Sequence, residues 1–257
     1  MDIKKAADLL YDAEKEIKAI DMLTLTWPEM TVDDAYQVQL ANIKRKVADG
    51  ETIVGAKIGL TSKGMQALIG VHEPDFGFLT DKMWILEGQD VRRDTLIAPK
   101  IEGELAFCLK KALKGPGITV VHVYDACDYV VPALELVDSR IRDWKVKLQD
   151  TIADNGSSSG FILGGAMTPI ANVDMRLTGM NFEKNGVHIS SATTAEVMGN
   201  PAAAIAWLAN KLGSYGLELP AGSVVLAGAL TAAVPVEAGD TVTASFTGMG
   251  SVSVKFV

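Results

Sequence analysis

The stretch PKIEGELAF, Pro99–Phe107, carries the pattern on which the predicted fold and site of this chain depend. Its apolar residues are typical of a buried strand, yet it holds Glu102 and Glu104 one residue apart. Because successive side chains of a strand point to opposite faces, these two carboxylates point the same way. Adjacent carboxylates repel each other, and burying an unpaired one is costly in free energy. The pair therefore predicts either a bound cation or a solvent-facing strand.

A third acid, Glu135, lies inside a second apolar run, YVVPALELV. Carboxylate oxygens suit Mg²⁺ or Mn²⁺ better than Zn²⁺. Three protein carboxylates would leave about three octahedral positions for water or substrate, as a catalytic metal requires. Glu102, Glu104 and Glu135 are therefore the predicted metal ligands. The alternative is that Glu102 and Glu104 lie on a solvent-facing edge and that Glu135 pairs with Arg140.

The composition excludes several classes of partner. The chain has 257 residues, is 48% hydrophobic and carries a formal net charge of -8, from 24 Lys and Arg against 32 Asp and Glu. It shows no basic stripe, so neither nucleic acid nor an anionic membrane surface is an expected partner. The charged start MDIKKAADLL predicts no signal peptide, and no run approaches the ~18 apolar residues of a membrane span. Cys108 and Cys127 predict reduced thiols in a cytoplasmic protein.

The apolar spacing changes once along the chain. Residues 2–20 show helical spacing, and a second helix is predicted near Thr31, where Thr31 and Asp34 resemble a capping box. From Ile53 onward, Val- and Ile-rich runs alternate with turn residues, broken by one clear helix that begins after Asn200. The predicted domains are a helical N-terminal segment, 1–50, and a β-rich metal-binding catalytic domain, 51–257.

The order of these elements predicts the fold class. The strands do not alternate regularly with helices, so a doubly wound parallel sheet is not expected. We predict an α+β fold with a rolled, mixed β-sheet or barrel-like core preceded by the helical segment. Such a sheet hides its edges and leaves room for a pocket at its mouth.

Three further motifs offer polar groups for such a pocket. Lys57 lies between small residues in GAKIGLTS, so we predict a desolvated cation that binds a carboxylate or moves a proton. The alternative is a lysine whose ammonium group only reaches to the surface. Asp75 in GVHEPDFGFL is predicted to act as an acid or base, and the alternative is that the motif forms only a solvated turn. The loop ADNGSSSGF predicts an anion site, although such loops are usually only turns.

Taken in order, these motifs resemble one known family over nearly the whole chain. The sequence is similar to the 2-keto-4-pentenoate hydratases and the 4-oxalocrotonate decarboxylases of the fumarylacetoacetate hydrolase superfamily. The segments that carry the resemblance are GAKIGLTS, PDFGFL, PKIEGELAF, PALELVDSRI, ADNGSSS and GSVSVKFV.

The resemblance implies the chemistry and the roles of these residues. It implies a fold like that of the fumarylacetoacetase C-terminal domain, with Mg²⁺ or Mn²⁺ on Glu102, Glu104 and Glu135. The metal would chelate the 2-oxygen and the carboxylate of a small 2-oxo or 2-hydroxydienoic acid. Lys57 and Asp75 would be catalytic, and Ser158 would contact the substrate carboxylate. The resemblance also implies a cytoplasmic homo-oligomer in the meta-cleavage degradation of aromatic compounds, associated with other enzymes of that pathway.

The first expected reaction is hydration of 2-hydroxypenta-2,4-dienoate to 4-hydroxy-2-oxopentanoate, and the alternative is decarboxylation of 4-oxalocrotonate. Gly160 stands where the decarboxylases resembled tend to carry arginine, which favours a mono-acid unless Arg140, Arg142 or Lys145 reaches the pocket. Hydrolysis of a C–C bond ranks third, since it would need His72 in a His–Glu pair. A non-catalytic subunit is disfavoured, because Lys57 and the three acids are all present.

Overall fold

The computed structural model describes the backbone of residues 1–257 and every side chain except those of Met65, Leu68 and Ile69. Its helices are α1 (Ile3–Glu16), α2 (Leu23–Thr26), α3 (Val32–Ala48), α4 (Lys63–Ile69), α5 (Val120–Ala126), α6 (Leu148–Ala153) and α7 (Pro201–Ser214). Its strands are β1 (Ile53–Gly59), β2 (Asp75–Thr80), β3 (Trp84–Ile85), β4 (Pro99–Leu109), β5 (Cys127–Asp138), β6 (Ser158–Leu163), β7 (Thr168–Pro169), β8 (Gly179–Lys184), β9 (Val187–Thr193), β10 (Val224–Leu226), β11 (Val234–Pro235), β12 (Thr241–Phe246) and β13 (Gly250–Lys255).

The strands form one large curled sheet and one small sheet. The large sheet runs in the order β2-β1-β10-β4-β5-β6-β3, with β11 beside β4 and β7 beside β5. Most of its pairs are antiparallel, but β1 pairs parallel with β10 and β3 parallel with β6. The second sheet has the order β13-β12-β8-β9 and is antiparallel throughout. This mixed, rolled arrangement confirms the predicted fold class.

The N-terminal helices begin where the local signals predict. The Thr31 hydroxyl accepts from Asp34 N, and Asp34 Oδ2 accepts from Thr31 N, so the predicted capping box starts α3. Among the described helices, none combines the length and the apolar character that a membrane crossing requires. Buried side chains of α1 and α3 belong to the same apolar cluster as the strands of the large sheet.

One hairpin and three short helices, α4, α5 and α6, are among the elements not predicted from the sequence. The strands β8 and β9 are joined by Asn185 and Gly186, both with positive φ. Asn-Gly between two strands is the strongest short hairpin signal, so this turn was available in the sequence. The helices α4, α5 and α6 have seven, seven and six residues, which is too short for a clear helical period.

Candidate metal and active site

Three carboxylates converge on one face of the large sheet. Glu102 and Glu104 share a face of β4, and Glu135 of β5 lies directly opposite Glu102 in the antiparallel register. Each of the three offers a carboxylate oxygen, and these oxygens lie within 4.8 Å of one another. Glu104 and Glu135 are fully buried, and Glu102 is partly buried. The two strands thus bring together the trio that the sequence singles out.

The oxygens of this trio are short of hydrogen-bond donors. Glu104 Oε2 accepts from Gly228 N at 2.8 Å, but Glu104 Oε1 and both oxygens of Glu135 accept no hydrogen bond from the part of the chain that the structure describes. Buried carboxylate oxygens without donors are costly in free energy, and a hard cation would satisfy them. The donor set therefore fits a divalent metal ion.

The alternative of a solvent-facing pair and a Glu135–Arg140 ion pair is wrong. Glu104 and Glu135 are fully buried, and Arg140 lies elsewhere, where its guanidinium bonds the Asp154 carboxylate. Arg140 also donates to the backbone carbonyls of Asp138 and Asp154. Its hydrogen-bonding capacity is thus engaged on the turn that precedes β6.

Burial raises the pKa of all three acids, and repulsion by Glu135 raises the pKa of Glu102 and Glu104 further. Burial, followed by the charge of Glu135, raises the pKa of Glu102 to about 7. The same two causes hold the pKa of Glu104 well above its ordinary value. Burial also raises the pKa of Glu135, although the Lys57 ammonium acts against this. The cluster thus holds protons more tightly than isolated carboxylates and would release them to a metal.

Lys57 is the cation of this cluster. Its side chain on β1 is almost fully buried, and its Nζ lies 3.4 Å from Glu135 Oε2 and donates to the Gly156 carbonyl at 3.0 Å. Burial alone would lower the pKa of Lys57, but the charge of Glu135, with smaller contributions from Asp75, Glu102 and Glu104, raises it above its ordinary value. The ammonium therefore stays charged inside the pocket and does not reach to the surface.

Asp75 lies beside Lys57 at the start of β2. It pairs with Gly59 of β1, is almost fully buried, and its Oδ2 accepts from Thr151 Oγ1 at 3.4 Å. A Cβ at Gly59 would lie 2.1 Å from Asp75 Oδ1, so the close approach of this carboxyl group depends on glycine. Burial raises the pKa of Asp75, with Lys57 acting against it. Its preceding neighbours His72 and Glu73 are exposed, so only Asp75 of that motif enters the site.

These groups open into a pocket of about 510 Å³. Lys57, Asp75 and Glu102 line it together with Lys100, Trp144 and residues of several loops. The other lining residues are Ile58, Gly59, Leu60, Thr61, Ser62, Val137, Val146, Thr151, Gly156, Ser157, Glu196, Ala229, Leu230, Thr231, Ala232 and Ala233. A pocket of this size, with two lysines among its lining residues, suits a small organic acid.

The structure places Ser157, and not Ser158, on the wall of this pocket. The Ser157 hydroxyl donates to Asp154 Oδ2 at 3.0 Å. Ser158 is buried beside the Glu135 carboxyl group, and its hydroxyl makes no well-formed hydrogen bond with the described residues. The polar loop is therefore at the site, but its two serines face different neighbours.

Gly160 does not face the pocket, so the expectation that it shapes the distal end of the site is wrong. It pairs with Leu136, which puts it on the face opposite to Glu135. A Cβ there would lie 2.9 Å from Ile85 Cδ1 and 3.3 Å from the Met83 carbonyl oxygen. Opposed residues of antiparallel strands share a face, and this register could not be read from the sequence. Arg140, Arg142 and Lys145 do not line the pocket either.

Lys100 is a site residue that was not predicted from the sequence. It lies on β4 two residues before Glu102, and its Nζ lies 4.2 Å from the centroid of the Trp144 ring. The signal was present in PKIEGELAF, because the period of two puts Lys100 on the same face as both glutamates. Trp144 could not have been found this way, since it reaches the pocket from a loop after β5.

Comparisons with known proteins agree with this geometry. Residues 61–257 match the model of the fumarylacetoacetate (FAA) hydrolase C-terminal family. A 2-hydroxyhexa-2,4-dienoate hydratase of Comamonas testosteroni is 45% identical over 99% of this chain and 97% of its own. A 2-oxo-hept-4-ene-1,7-dioate hydratase of Escherichia coli is 44% identical over 98% and 96%.

A solved structure agrees as well. The 4-oxalocrotonate decarboxylase of Pseudomonas putida G7, complexed with magnesium and adipate, superposes with a TM-score of 0.97 at 42% identity, over 99% of this chain and 97% of that one. These relatives are hydratases and a decarboxylase, which are both kinds of lyase, so the predicted family and enzyme class are confirmed. The chain belongs to the fumarylacetoacetate hydrolase family, in its group of hydratases and decarboxylases.

Proposed function

We propose that this protein is a metal-dependent hydratase that adds water to a small 2-hydroxydienoic acid, either 2-hydroxypenta-2,4-dienoate or an analogue with a second carboxylate, in the meta-cleavage degradation of aromatic compounds. The product would be 4-hydroxy-2-oxopentanoate or the corresponding 4-hydroxy-2-oxo diacid. One observation carries the proposal: three carboxylates, two of which have buried oxygens without a hydrogen-bond donor, meet a buried lysine and a buried aspartate beside a pocket for a small acid. The two hydratases at 44–45% identity support it.

Glu102, Glu104 and Glu135 would hold the divalent cation, which we propose to be Mg²⁺ or Mn²⁺. The all-carboxylate donor set favours these ions, and the magnesium in the similar decarboxylase supports this choice. When bound, such a cation supplies positive charge that stabilises negative charge on the 2-oxygen of the substrate.

The protein's own groups would then divide the binding and proton transfer between them. Lys57 keeps its proton, so it serves as a fixed cation that orients an anionic oxygen of the substrate. Asp75, whose pKa is raised by burial, is suited to carry a proton to the far carbon, C5, of the dienol. The resulting unsaturated ketone is electrophilic at C4, where water adds.

Decarboxylation of 4-oxalocrotonate is the second candidate. The TM-score of 0.97 to a 4-oxalocrotonate decarboxylase favours it, since the two backbones correspond over nearly their whole lengths. Relative to its distal carboxylate, this substrate is a vinylogous β-keto acid. Breaking the C5–C6 bond releases CO₂ and leaves the electron pair delocalised onto the 2-oxygen, so the same acids and Lys57 would serve both reactions. Carbon–carbon hydrolysis is not supported, since His72 is exposed and does not line the pocket.

The test offers both substrates to the purified protein. Metal-stripped enzyme, and the same enzyme with Mg²⁺ or Mn²⁺, are incubated with 2-hydroxypenta-2,4-dienoate and with 4-oxalocrotonate. We expect metal-dependent loss of the dienol with formation of 4-hydroxy-2-oxopentanoate, identified by NMR. Release of CO₂ from the diacid as the faster reaction would favour the decarboxylase, and no metal-dependent turnover of either acid would reject both functions.

We also propose that the protein forms a homo-oligomer. The strand β9 is the edge of the small sheet and exposes Val187 and Ile189, which a partner strand or face would cover. Light scattering after size-exclusion chromatography tests this, since a mass near the 27.3 kDa of one chain would contradict it.

A further inference from the structure

We propose that Lys100, stacked on Trp144, binds a second carboxylate at the distal end of the substrate, so that the pocket prefers dicarboxylic over monocarboxylic acids. The proposal rests on the proposed function, since it presumes that the first carboxylate and the 2-oxygen are held at the acidic trio. Lys100 would be a specificity-determining residue on the strand that also carries Glu102 and Glu104.

The position of Lys100 suits the far end of an extended acid. Lys100 and Glu102 share a face of β4, and both line the pocket. Two strand residues span about 6.7 Å, which is comparable to the length of an extended six- or seven-carbon diacid. An acid anchored beside Glu102 and lying along β4 would therefore bring its distal carboxylate to Lys100.

The ammonium group of Lys100 has no anionic partner of its own. Among the described residues it makes neither a hydrogen bond nor an ion pair, and its one specific contact is the face of the Trp144 ring. That ring is fixed, because its Nε1 donates to the Ala98 carbonyl at 2.9 Å. The charge of Glu102 acts to raise the pKa of Lys100, but Glu102 is one of the proposed metal ligands. A half-buried cation held in this way is prepared to receive an anion.

Apolar side chains around Lys100 strengthen its interaction with a carboxylate. Val137, Trp144 and Val146 line the same pocket, and Val137 is the partner of Lys100 in the register of β4 with β5. Apolar walls weaken the screening of charge by water, so a carboxylate gains more from Lys100 here than at the surface. The remaining lining cation of the described pocket, Lys57, is already engaged with Glu135 and the Gly156 carbonyl.

The test compares two ligands that differ only in the distal carboxylate and undergo no hydration. Binding of 2-oxohexanedioate and of 2-oxohexanoate to the Mg²⁺-loaded enzyme is measured by calorimetry, for the wild type, Lys100→Met and Lys100→Arg. A charge-assisted hydrogen bond predicts that the wild type binds the diacid roughly 10- to 100-fold more tightly. Lys100→Met should remove this preference without weakening the mono-acid, and Lys100→Arg should retain most of it. Lys82→Met, at an exposed lysine outside the pocket, is the matched control.

Two outcomes would overturn the inference. If the wild type binds both acids alike, no distal carboxylate site exists. If Lys100→Met weakens both acids equally, Lys100 serves the first carboxylate or the fold. Because neither ligand is turned over, this readout is separate from the proposed function: a preference for the diacid without any hydratase or decarboxylase activity would support the Lys100 site and reject the reaction.

Discussion

Lys57 is the side chain on which the charge balance of the pocket depends. It is buried next to four carboxyl groups, of which Glu135 contributes most to raising the pKa of Lys57. Its ammonium also bonds the Gly156 carbonyl, so it links the acidic trio to the turn before β6. A neutral side chain of similar length at this position would keep the packing and remove the charge.

We expect Lys57→Met to lower kcat by roughly 10²-fold or more, because a positioned charged group is lost from the reacting end of the substrate. Steady-state kinetics per folded molecule, with folding checked by circular dichroism, measures this. Lys111→Met, at an exposed lysine paired with Asp125, is the control and should keep full activity. Normal turnover by Lys57→Met would mean that Lys57 serves only the fold.

The acidic trio makes a prediction that does not depend on turnover. Glu102→Gln and Glu135→Gln should each weaken Mn²⁺ binding by at least about 10-fold, because each removes a charged oxygen ligand while keeping the shape of the side chain. Calorimetry with Mn²⁺ measures the affinity directly. Glu183→Gln on β8, outside the pocket, should bind as the wild type does. Unchanged affinity in both trio variants would make the carboxylates structural.

Among the elements, the turn between α6 and β6 does most to assemble the pocket. Asn155, Gly156 and Ser157 all have positive φ, which is unfavourable for the two residues with side chains. The Asn155 side chain offsets this cost, since its Oδ1 accepts from Phe78 N at 2.8 Å and its Nδ2 donates to Phe78 O at 2.9 Å. The turn is thereby tied to β2 and presents the Gly156 carbonyl to Lys57.

We expect Asn155→Ala to lower the free energy of unfolding by about 2–4 kcal/mol and to reduce kcat as well, because two hydrogen bonds to Phe78 are lost and Gly156 shifts relative to Lys57. Asn185→Ala is a matched control: Asn185 also has positive φ and two side-chain hydrogen bonds, but it lies in the exposed β8–β9 turn. It should lose stability and keep kcat. Equal kcat values in the two variants would show that the turn at Asn155–Ser157 plays no part in catalysis.

For the whole molecule, the N-terminal helices and the sheet form one structure around the site. The buried Gln39 of α3 donates to the carbonyls of Phe76 and Ile152, at 2.8 and 2.9 Å. Phe76 directly follows Asp75, and Ile152 directly follows Thr151, which bonds Asp75. The helical segment thus supports β2 and α6, two elements that line the pocket. The burial that shifts the pKa values of the site depends on the whole fold, so global stability and the charge state of the site are coupled.

This coupling gives the metal-free protein an unusual dependence on pH. Glu102 has a folded-state pKa raised to about 7, so between its ordinary value of 4.5 and pH 7 the native state holds a proton that the unfolded chain has released. The free energy of unfolding therefore falls as pH rises through this window, by up to about 1.4 kcal/mol per pH unit for each such proton. A bound divalent cation would remove that penalty.

We accordingly expect Mn²⁺ to raise the Tm more at pH 8 than at pH 6, by several degrees, since protons compete with the metal at the lower pH. Thermal denaturation with and without Mn²⁺ at both pH values measures this. In Glu102→Gln the dependence of the metal effect on pH should be smaller. An equal rise in Tm at both pH values in the wild type would show that the trio does not exchange protons for metal.

The sequence by itself determined the properties that repeat within one segment. The period of two in PKIEGELAF put Glu102 and Glu104 on one face. The same period, extended by two residues toward the N-terminus, puts Lys100 on that face as well. Thr31 and Asp34 predicted the start of α3 because a capping box is complete within four residues. The ordered motifs were sufficient for the family, and with it the rolled fold.

Only the tertiary structure decided which segments face each other. The register of β4 with β5 sets Glu135 opposite Glu102, and that of β5 with β6 turns Gly160 away from the pocket. The left-handed turn at Asn155–Ser157 puts Ser157 on the pocket wall and leaves Ser158 beside Glu135. A shift of one residue in any of these pairings would exchange the two faces, and the contacts that set the register join residues far apart in the chain. Local periodicity cannot specify them.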